Sequence, residues 1–430
     1  MRHRWMTAPR AFLGGIGSRP RMRASLIVVV GNMIGAAAAF AAAIVAARVL
    51  ALDQFAAFGV GLAVNSLAVQ FADFGLGTIA IAETADSANP SVARAKLRTL
   101  ALHRIRTALF VGVLVTAVVL LLPSLAPYRT AAIVGAAGGV FGSFAFFFIW
   151  SLQGTRNFRA AGTLQGAQGV LRLALVGACA VAGLGSAEMM VGYAVLAPAV
   201  TGLAGALLLF TSKPRYAGSP EKSLPDSLGV NVERRRAMAF IAVFAAMLIN
   251  GDVLLLTMFA DQVDVAAYTA AWRFSSGVLL INTALASAFL PFIFAAPDAW
   301  AEAKHLVRRG LLVATGWFVL MPLMVLVGPL LLGSVGEDAK GPLIVLLIAF
   351  AIDGFYFILY QVYLRVRRER FLLAAIVLEL TTMVVVTLLL QDEGAMAPAF
   401  GQLAARVVVC GVVVAPLLLA VKGRLDWFRE

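Results

Sequence analysis

Two arginines stand where hydrocarbon would be expected. Arg273 lies in "AAYTAAWRFSSGVLLIN" and Arg406 in "MAPAFGQLAARVVVC", both long apolar runs. A cation inside such a segment is costly and marks a working or paired group. Guanidinium is a rigid fork of donors suited to the oxygens of phosphate-like anions. Gln402, four residues before Arg406, shares its helical face and can add an amide to the same anion. Arg48 closes the first apolar run, where it anchors a helix end or meets an anionic group on its way out. The second half also holds three acids in apolar surroundings, Asp252, Asp353 and Glu379, with Asn250 beside Asp252. Converging in a dry lobe, such groups can hold a sodium ion or take up a proton. They can equally be partners for Arg273 and Arg406. Asp353, Tyr356 and Tyr360 fall at i, i+3 and i+7, one face of a helix. Tyr356 there suits a cavity wall, and Tyr360 suits an interfacial aromatic belt.

The elements that must position these residues are read from composition. Of the 430 residues, 61% are hydrophobic and 13% charged. A soluble domain carries roughly twice that charged share, so lipid must be the solvent for much of the surface. Runs of about 20 apolar residues recur along the chain, the length that crosses a bilayer core. Backbone groups in lipid must be satisfied internally, which selects helices. The expected spans are Ala24–Ala47, Phe55–Ala82, Thr107–Leu125, Arg129–Trp150, Gln165–Leu184 and Ala187–Phe210, then Ala237–Ala260, Val265–Phe294, Gly310–Leu332, Pro342–Leu364, Phe371–Leu390 and Met396–Ala420. The fold class is therefore an all-α membrane protein of about twelve transmembrane helices.

The formal net charge of +13 suggests nucleic acid only in a soluble chain. Here 30 of the 35 Lys and Arg fall in segments on one side of the predicted helices, Arg172 counted at a helix entrance. That asymmetry places both termini in the cytoplasm. The segment "RAKLRTLALHRIR" reads as a positive anchor or an interfacial amphipathic helix. Cys179 and Cys410 sit in apolar runs and are expected to be unpaired. His3, His103 and His305 have no metal spacing. With no Ser-His-Asp set and no nucleotide motif, neither catalysis nor a cofactor is expected, a coupling ion apart. The Ala-rich run after the basic N-terminus resembles a signal-peptide end, but cleavage there would remove the first helix of a repeat.

The organisation is a basic N-terminus (1–23), an N-lobe (24–210), a Pro- and Gly-containing linker (211–236), a C-lobe (237–420) and a tail (421–430). "LDQFAAFGVGLAVNSL" near the start of the second helix matches "ADQVDVAAYTAAWRFSSG" near the start of the eighth, pairing Phe58 with Tyr268 at an offset of 210. Six helices per half preserve orientation, so the two lobes are related by a pseudo-two-fold axis along the membrane normal. Glycine pairs at close spacing, Gly31/Gly35, Gly138/Gly142 and Gly162/Gly166/Gly169, read as close helix packing.

At these residues the chain resembles the polysaccharide transporters of the multidrug/oligosaccharidyl-lipid/polysaccharide exporter superfamily, in particular its O-antigen and exopolysaccharide flippases. The matching segments are "ARVL" at Ala47–Leu50, "DQFAAFG" at Asp53–Gly59, "DFGLG" at Asp73–Gly77 and "SLQGTRNFRAAG" in the fourth-to-fifth loop, with Asp252, "AAYTAAWR" and Pro291 in the second half. Ala56 and Ala266 replace the usual glycine of the turn, which leaves the subfamily open. The resemblance implies a flippase of the bacterial inner membrane that moves a lipid-linked oligosaccharide by alternating access. Arg273, Arg406, Gln402, Arg48 and Tyr356 would then meet its pyrophosphate and sugars. Asn250, Asp252, Asp353 and Glu379 would couple transport to sodium or protons. The implied partners are the bilayer, the lipid-linked glycan and other glycan-assembly membrane proteins. The rivals are a multidrug or metabolite antiporter of the same superfamily, a lipid II flippase, and a membrane glycan polymerase or ligase.

Overall fold

The computed structural model describes residues 20–73, 90–155, 157–211, 232–295, 299–365 and 368–421. Most of the basic N-terminus, most of the linker, the tail and the last four residues of "DFGLG" lie outside these. Twelve α-helices run through the described residues: α1 (Pro20–Val49), α2 (Leu52–Asp73), α3 (Pro90–Leu121), α4 (Arg129–Gly154), α5 (Phe158–Val181), α6 (Ala187–Thr211), α7 (Val232–Leu256), α8 (Gln262–Ala295), α9 (Ala299–Leu332), α10 (Gly336–Arg365), α11 (Glu369–Leu389) and α12 (Met396–Val421). Ten stretches are long and apolar enough to cross a membrane, one of them, Gly310–Tyr356, running through both α9 and α10. The end of the bundle at which α1 begins is called the basic face below.

The helices form two lobes of six. In the first, α1 packs on α5, α2 and α3 on α4, and α4 and α5 on α6. The same pairings recur six helices later, with α7 on α11, α8 and α9 on α10, and α10 and α11 on α12. Across the lobes α2 meets α7 as α1 meets α8, and α2 crosses α8. At that crossing a Cβ on Gly59 would lie 2.3 Å from Thr269 Cγ2. Residues 59 and 269 are 210 apart, so positions equivalent in the repeat touch each other, as a two-fold axis between them requires.

Several helices start earlier than hydropathy implies. The segment expected as a separate interfacial element or anchor is the first half of α3, and Arg104 within it is fully buried. Arg104 donates to Asp73 Oδ1 at 2.8 Å, to the Ala72 carbonyl at 2.6 Å and to the Ser143 carbonyl at 3.1 Å. It thus neutralises the acid that ends α2 and satisfies an orphan carbonyl there. Asp73 is accordingly an ion-pair partner and not the local cap its position suggests. α5 begins at Phe158, seven residues before the expected Gln165.

The core explains the shape. One apolar cluster joins both lobes, drawing on α1 (Ala46, Ala47), α2 (Phe55, Phe58), α7 (Leu256) and α8 (Val265, Tyr268), all in the half away from the basic face. Toward the basic face the core divides, into Phe147, Leu152 and Ala161 in the N-lobe and Tyr363, Leu372 and Val413 in the C-lobe. The lobes are sealed at one end and parted at the other.

Within the N-lobe, α1 and α5 meet backbone to backbone. A Cβ on Gly169 would lie 2.1 Å from the Gly35 carbonyl oxygen, and one on Gly31 2.1 Å from that of Gly162. Small residues allow this approach in lipid, where packing replaces the hydrophobic drive. Gly169→Leu should lower stability by roughly 1–3 kcal/mol, the usual cost of overpacking. Gly177→Ala, on the same helix with nothing within 4 Å of the added carbon, should instead hold stability or raise it by up to about 1 kcal/mol, the helical preference for Ala over Gly. Thermal melting in detergent, followed by size-exclusion chromatography, checks the pair.

Candidate functional site

Where the lobes part, a cavity of about 510 Å³ lies between them. Phe58, from the sealed core, is at its floor. Arg172 and Arg273 face into it from opposite lobes, joined by three asparagines (Asn32, Asn65, Asn250), three glutamines (Gln70, Gln165, Gln168) and two serines (Ser66, Ser276). No carboxylate is among the described lining residues. Arg172 lies fourteen residues into α5 and Arg273 eleven into α8, which sets both about 15–20 Å along their helices, at mid-bilayer depth. Arg273 feels the charge of Arg172 and the opposite charge of Asp252, which lies behind it in the C-lobe. Arg172 donates to the Ala194 carbonyl at 3.2 Å, and Arg273 lies over the Trp272 ring at 5.4 Å. Among the described residues neither forms a salt bridge. Two cations beside polar neutral groups, with no carboxylate among the described lining residues, form a receptor for an anion with several oxygens.

Arg273 and Asn250 therefore line the cavity, whereas Gln402, Arg406 and Tyr356 do not. These three lie in the interior of the C-lobe, because the polar face of α12 turns toward α7, α10 and α11 and away from the other lobe. Arg406, 4% exposed, pairs with Glu379, reaches Asp353 at 3.4 Å and donates to the Tyr356 hydroxyl at 3.0 Å. Tyr356 donates to Glu379 at 2.9 Å, and Tyr360 to the same carboxylate at 3.5 Å. Tyr360 thus belongs to this cluster and not to an aromatic belt. Gln402 donates to Asp252 at 2.8 Å, and Tyr268 donates to the same carboxylate. Asn250 and Asp252, two residues apart, point to opposite sides of α7. One faces the cavity and the other the lobe interior.

Arg48 lies at the sealed end. Its Nε and Nη2 donate to the carbonyls of Leu331 and Leu330, at 2.9 and 2.7 Å. These are last-turn carbonyls of α9, which ends at Gly333 in the left-handed region, φ 67°. They have no helical donor and carry the negative end of the helix dipole. Arg48 belongs to α1, so this contact ties the two lobes together.

The residues missed from sequence are Arg172, Gln165 and Gln168. The signal was present, since 165, 168 and 172 fall at i, i+3 and i+7 on one face of α5. Starting that helix at Gln165 placed them near its entrance instead of its middle.

The sequence matches, over residues 22–296, the profile of the family described as polysaccharide biosynthesis protein. No curated protein sequence matches it. Its fold is similar to that of an inward-facing multidrug resistance MATE family transporter of the MOP superfamily, with TM-score 0.69 and 16% identity over 93% of this chain and 98% of that one. The outward-facing conformation of such a transporter gives a TM-score of 0.62 at 16% identity, over 93% and 96% of the two chains. A MATE structure in complex with MaL6 gives 0.63 at 16%, also over 93% and 96%.

Arg406→Ala strands two carboxylates in the C-lobe and should cost about 3–5 kcal/mol. Arg172→Ala and Arg273→Ala, which remove charge from a wet cavity, should cost far less. Thermal melts of the three variants test the ranking, and equal losses would contradict this placement. Arg48→Ala should loosen the sealed end. A cysteine at Ser276 should then react several-fold faster with a membrane-impermeant maleimide added from the face opposite the basic loops.

Proposed function

The chain belongs to the polysaccharide biosynthesis protein family, and on that premise we propose that it is a flippase carrying a lipid-linked oligosaccharide, a glycan on polyprenyl pyrophosphate, across the bacterial cytoplasmic membrane. Family and fold point to a membrane exporter of the MOP superfamily. The single observation that supports the finer reading is the lining of the inter-lobe cavity: among the described residues, two arginines, eight amide or hydroxyl residues and no carboxylate. A pyrophosphate gives up its hydration on entering such a cavity and regains charge-assisted hydrogen bonds from guanidinium. The amides and hydroxyls suit sugar hydroxyls. An antiporter for cationic drugs would need the opposite polarity.

In this reading the basic face is cytoplasmic, and the parted end of the bundle is the entrance. The head group binds between Arg172 and Arg273 while its lipid chain stays in the bilayer. The lobes then rock, the Arg48 contact with α9 opens, and the head group leaves on the other side. Direction comes from the C-lobe cluster. Asp353 and Glu379 share a single guanidinium, so with both ionised the group is one charge short of neutral. Asp353 Oδ2 has no hydrogen-bond donor among the described residues. A proton or a sodium ion completes the cluster, and its release changes how firmly α10, α11 and α12 are held.

The test is a leaflet assay in cells lacking the gene, with labelled lipid-linked glycan and a membrane-impermeant glycan-modifying reagent. Arg172→Ala and Arg273→Ala should each slow outward movement about ten- to a hundredfold, the worth of one charge-assisted contact at ~1.5–3 kcal/mol, while the protein remains folded in the membrane. Glu379→Gln should leave pyrophosphate binding intact but abolish dependence on the ion gradient. A normal leaflet distribution in the deletion strain would overturn the substrate assignment.

A further inference from the structure

A second cavity, of about 580 Å³, opens on the flank of the bundle. One wall is a stripe of α3 from His103 through Thr107, Phe110 and Val111 to Leu114. Phe71 of α2 adjoins it, and Val243 of α7 faces it from the other lobe. The α3 residues fall at i, i+4, i+7, i+8 and i+11, a single helical face. Apart from His103 and Thr107, the nearest of them to the basic face, the side chains are carbon. The Thr107 hydroxyl is spent on the His103 carbonyl, at 2.9 Å. Phe110 is 68% exposed and Leu114 51%, so this wall is presented to lipid.

The groove adjoins the arginine cavity. Gln70 lines the cavity and the next residue, Phe71, lines the groove. On α7 the cavity residues Ile249 and Asn250 lie six and seven positions beyond Val243, about 10 Å along the helix. The two flanks of the molecule also differ. At the sealed end α1 packs on α9, whereas among the described residues the equivalent helices on this flank, α7 and α3, share no comparable packing. The groove therefore lies at the seam of α3 and α7, between the lobes and on the basic-face side of Ile249 and Asn250.

We propose that this groove holds the isoprenoid chain of the substrate while its pyrophosphate occupies the arginine cavity. The inference rests on the function proposed above. A doubly anionic head and a long hydrocarbon chain cannot share one polar pocket, because the chain gains nothing by leaving lipid for amides and guanidinium. The chain must leave the cavity sideways, through an apolar opening that remains in contact with the bilayer. A groove that begins one residue from the cavity, has carbon walls and draws on both lobes meets that need. It commits to the substrate's chain over that of a bulk phospholipid because only a lipid whose head is held next door would be retained.

The experiment uses the full chain in liposomes of phosphatidylethanolamine and phosphatidylglycerol, with a polyprenyl pyrophosphate carrying a diazirine in its isoprenoid chain. Crosslinks should map to residues 103–114 and to Val243. They should fall at least fivefold with excess unlabelled polyprenyl pyrophosphate and stay unchanged with equal excess phosphatidylglycerol. Val243→Trp, or Thr107→Trp if the first does not fold, should fill the groove and reduce labelling to a similar degree. The cavity is read separately, by protection of Ser276→Cys from maleimide with inorganic pyrophosphate, in a Cys179→Ala, Cys410→Ala background. Protection together with crosslinks scattered over the lipid-facing surface, or competed equally by phosphatidylglycerol, overturns the groove and leaves the function standing. Absence of protection overturns the function, and the groove assignment with it.

Discussion

A guanidinium in hydrocarbon must find either a counter-charge or water, and the arrangement of the whole bundle follows from how each arginine meets that demand. Arg104 is sealed against Asp73 and the backbone oxygens of Ala72 and Ser143, from α2 and α4, and it holds the basic-face end of α2. Arg406 is sealed against two acids and fixes the C-lobe interior. Arg48 spends its donors on the end of a helix in the other lobe. Among the described residues Arg172 and Arg273 form no salt bridge, and they face the space between the lobes instead. Three arginines build the walls, and two define what the space between them can hold.

The scaffold is two-fold symmetric and its chemistry is not. Helix pairings repeat from lobe to lobe, and positions 59 and 269 touch across the axis. Among the described residues the network of Asp353, Glu379 and Arg406 has no counterpart in the N-lobe helices α4, α5 and α6. A duplicated frame can thus divide its labour. The N-lobe packs α1 on α5 through backbone contacts and turns most of the cavity's amides inward, while the C-lobe gives Arg273 to the cavity and keeps Arg406 with its two acids inside.

Helix number, the repeat and the offset of 210 were legible in the sequence, because apolar runs and a tandem duplication leave one-dimensional traces. Arg273 was legible as a polar intrusion. The partners of Arg406 were not, because its pairing depends on the rotation of α12. A face that reads as facing a cleft can equally face the lobe interior. Arg172 was hidden by a boundary error, since hydropathy averages over the polar first turns of α5 and starts the helix late. The same averaging cut α3 in two and turned a buried ion pair into an apparent surface anchor.

The crossing of α2 and α8 has a mechanical corollary. Gly59 lies seven residues from the start of α2 at Leu52 and fourteen from its end at Asp73, arms of about 10 and 20 Å. If the lobes turn about this contact, the crossing is a fulcrum with unequal arms. A given rotation then sweeps the basic-face end through twice the distance of the other. Such gearing makes a wide mouth on one side and a narrow one on the other from a single rigid turn, and it leaves the contact between Gly59 and Thr269 nearly still throughout.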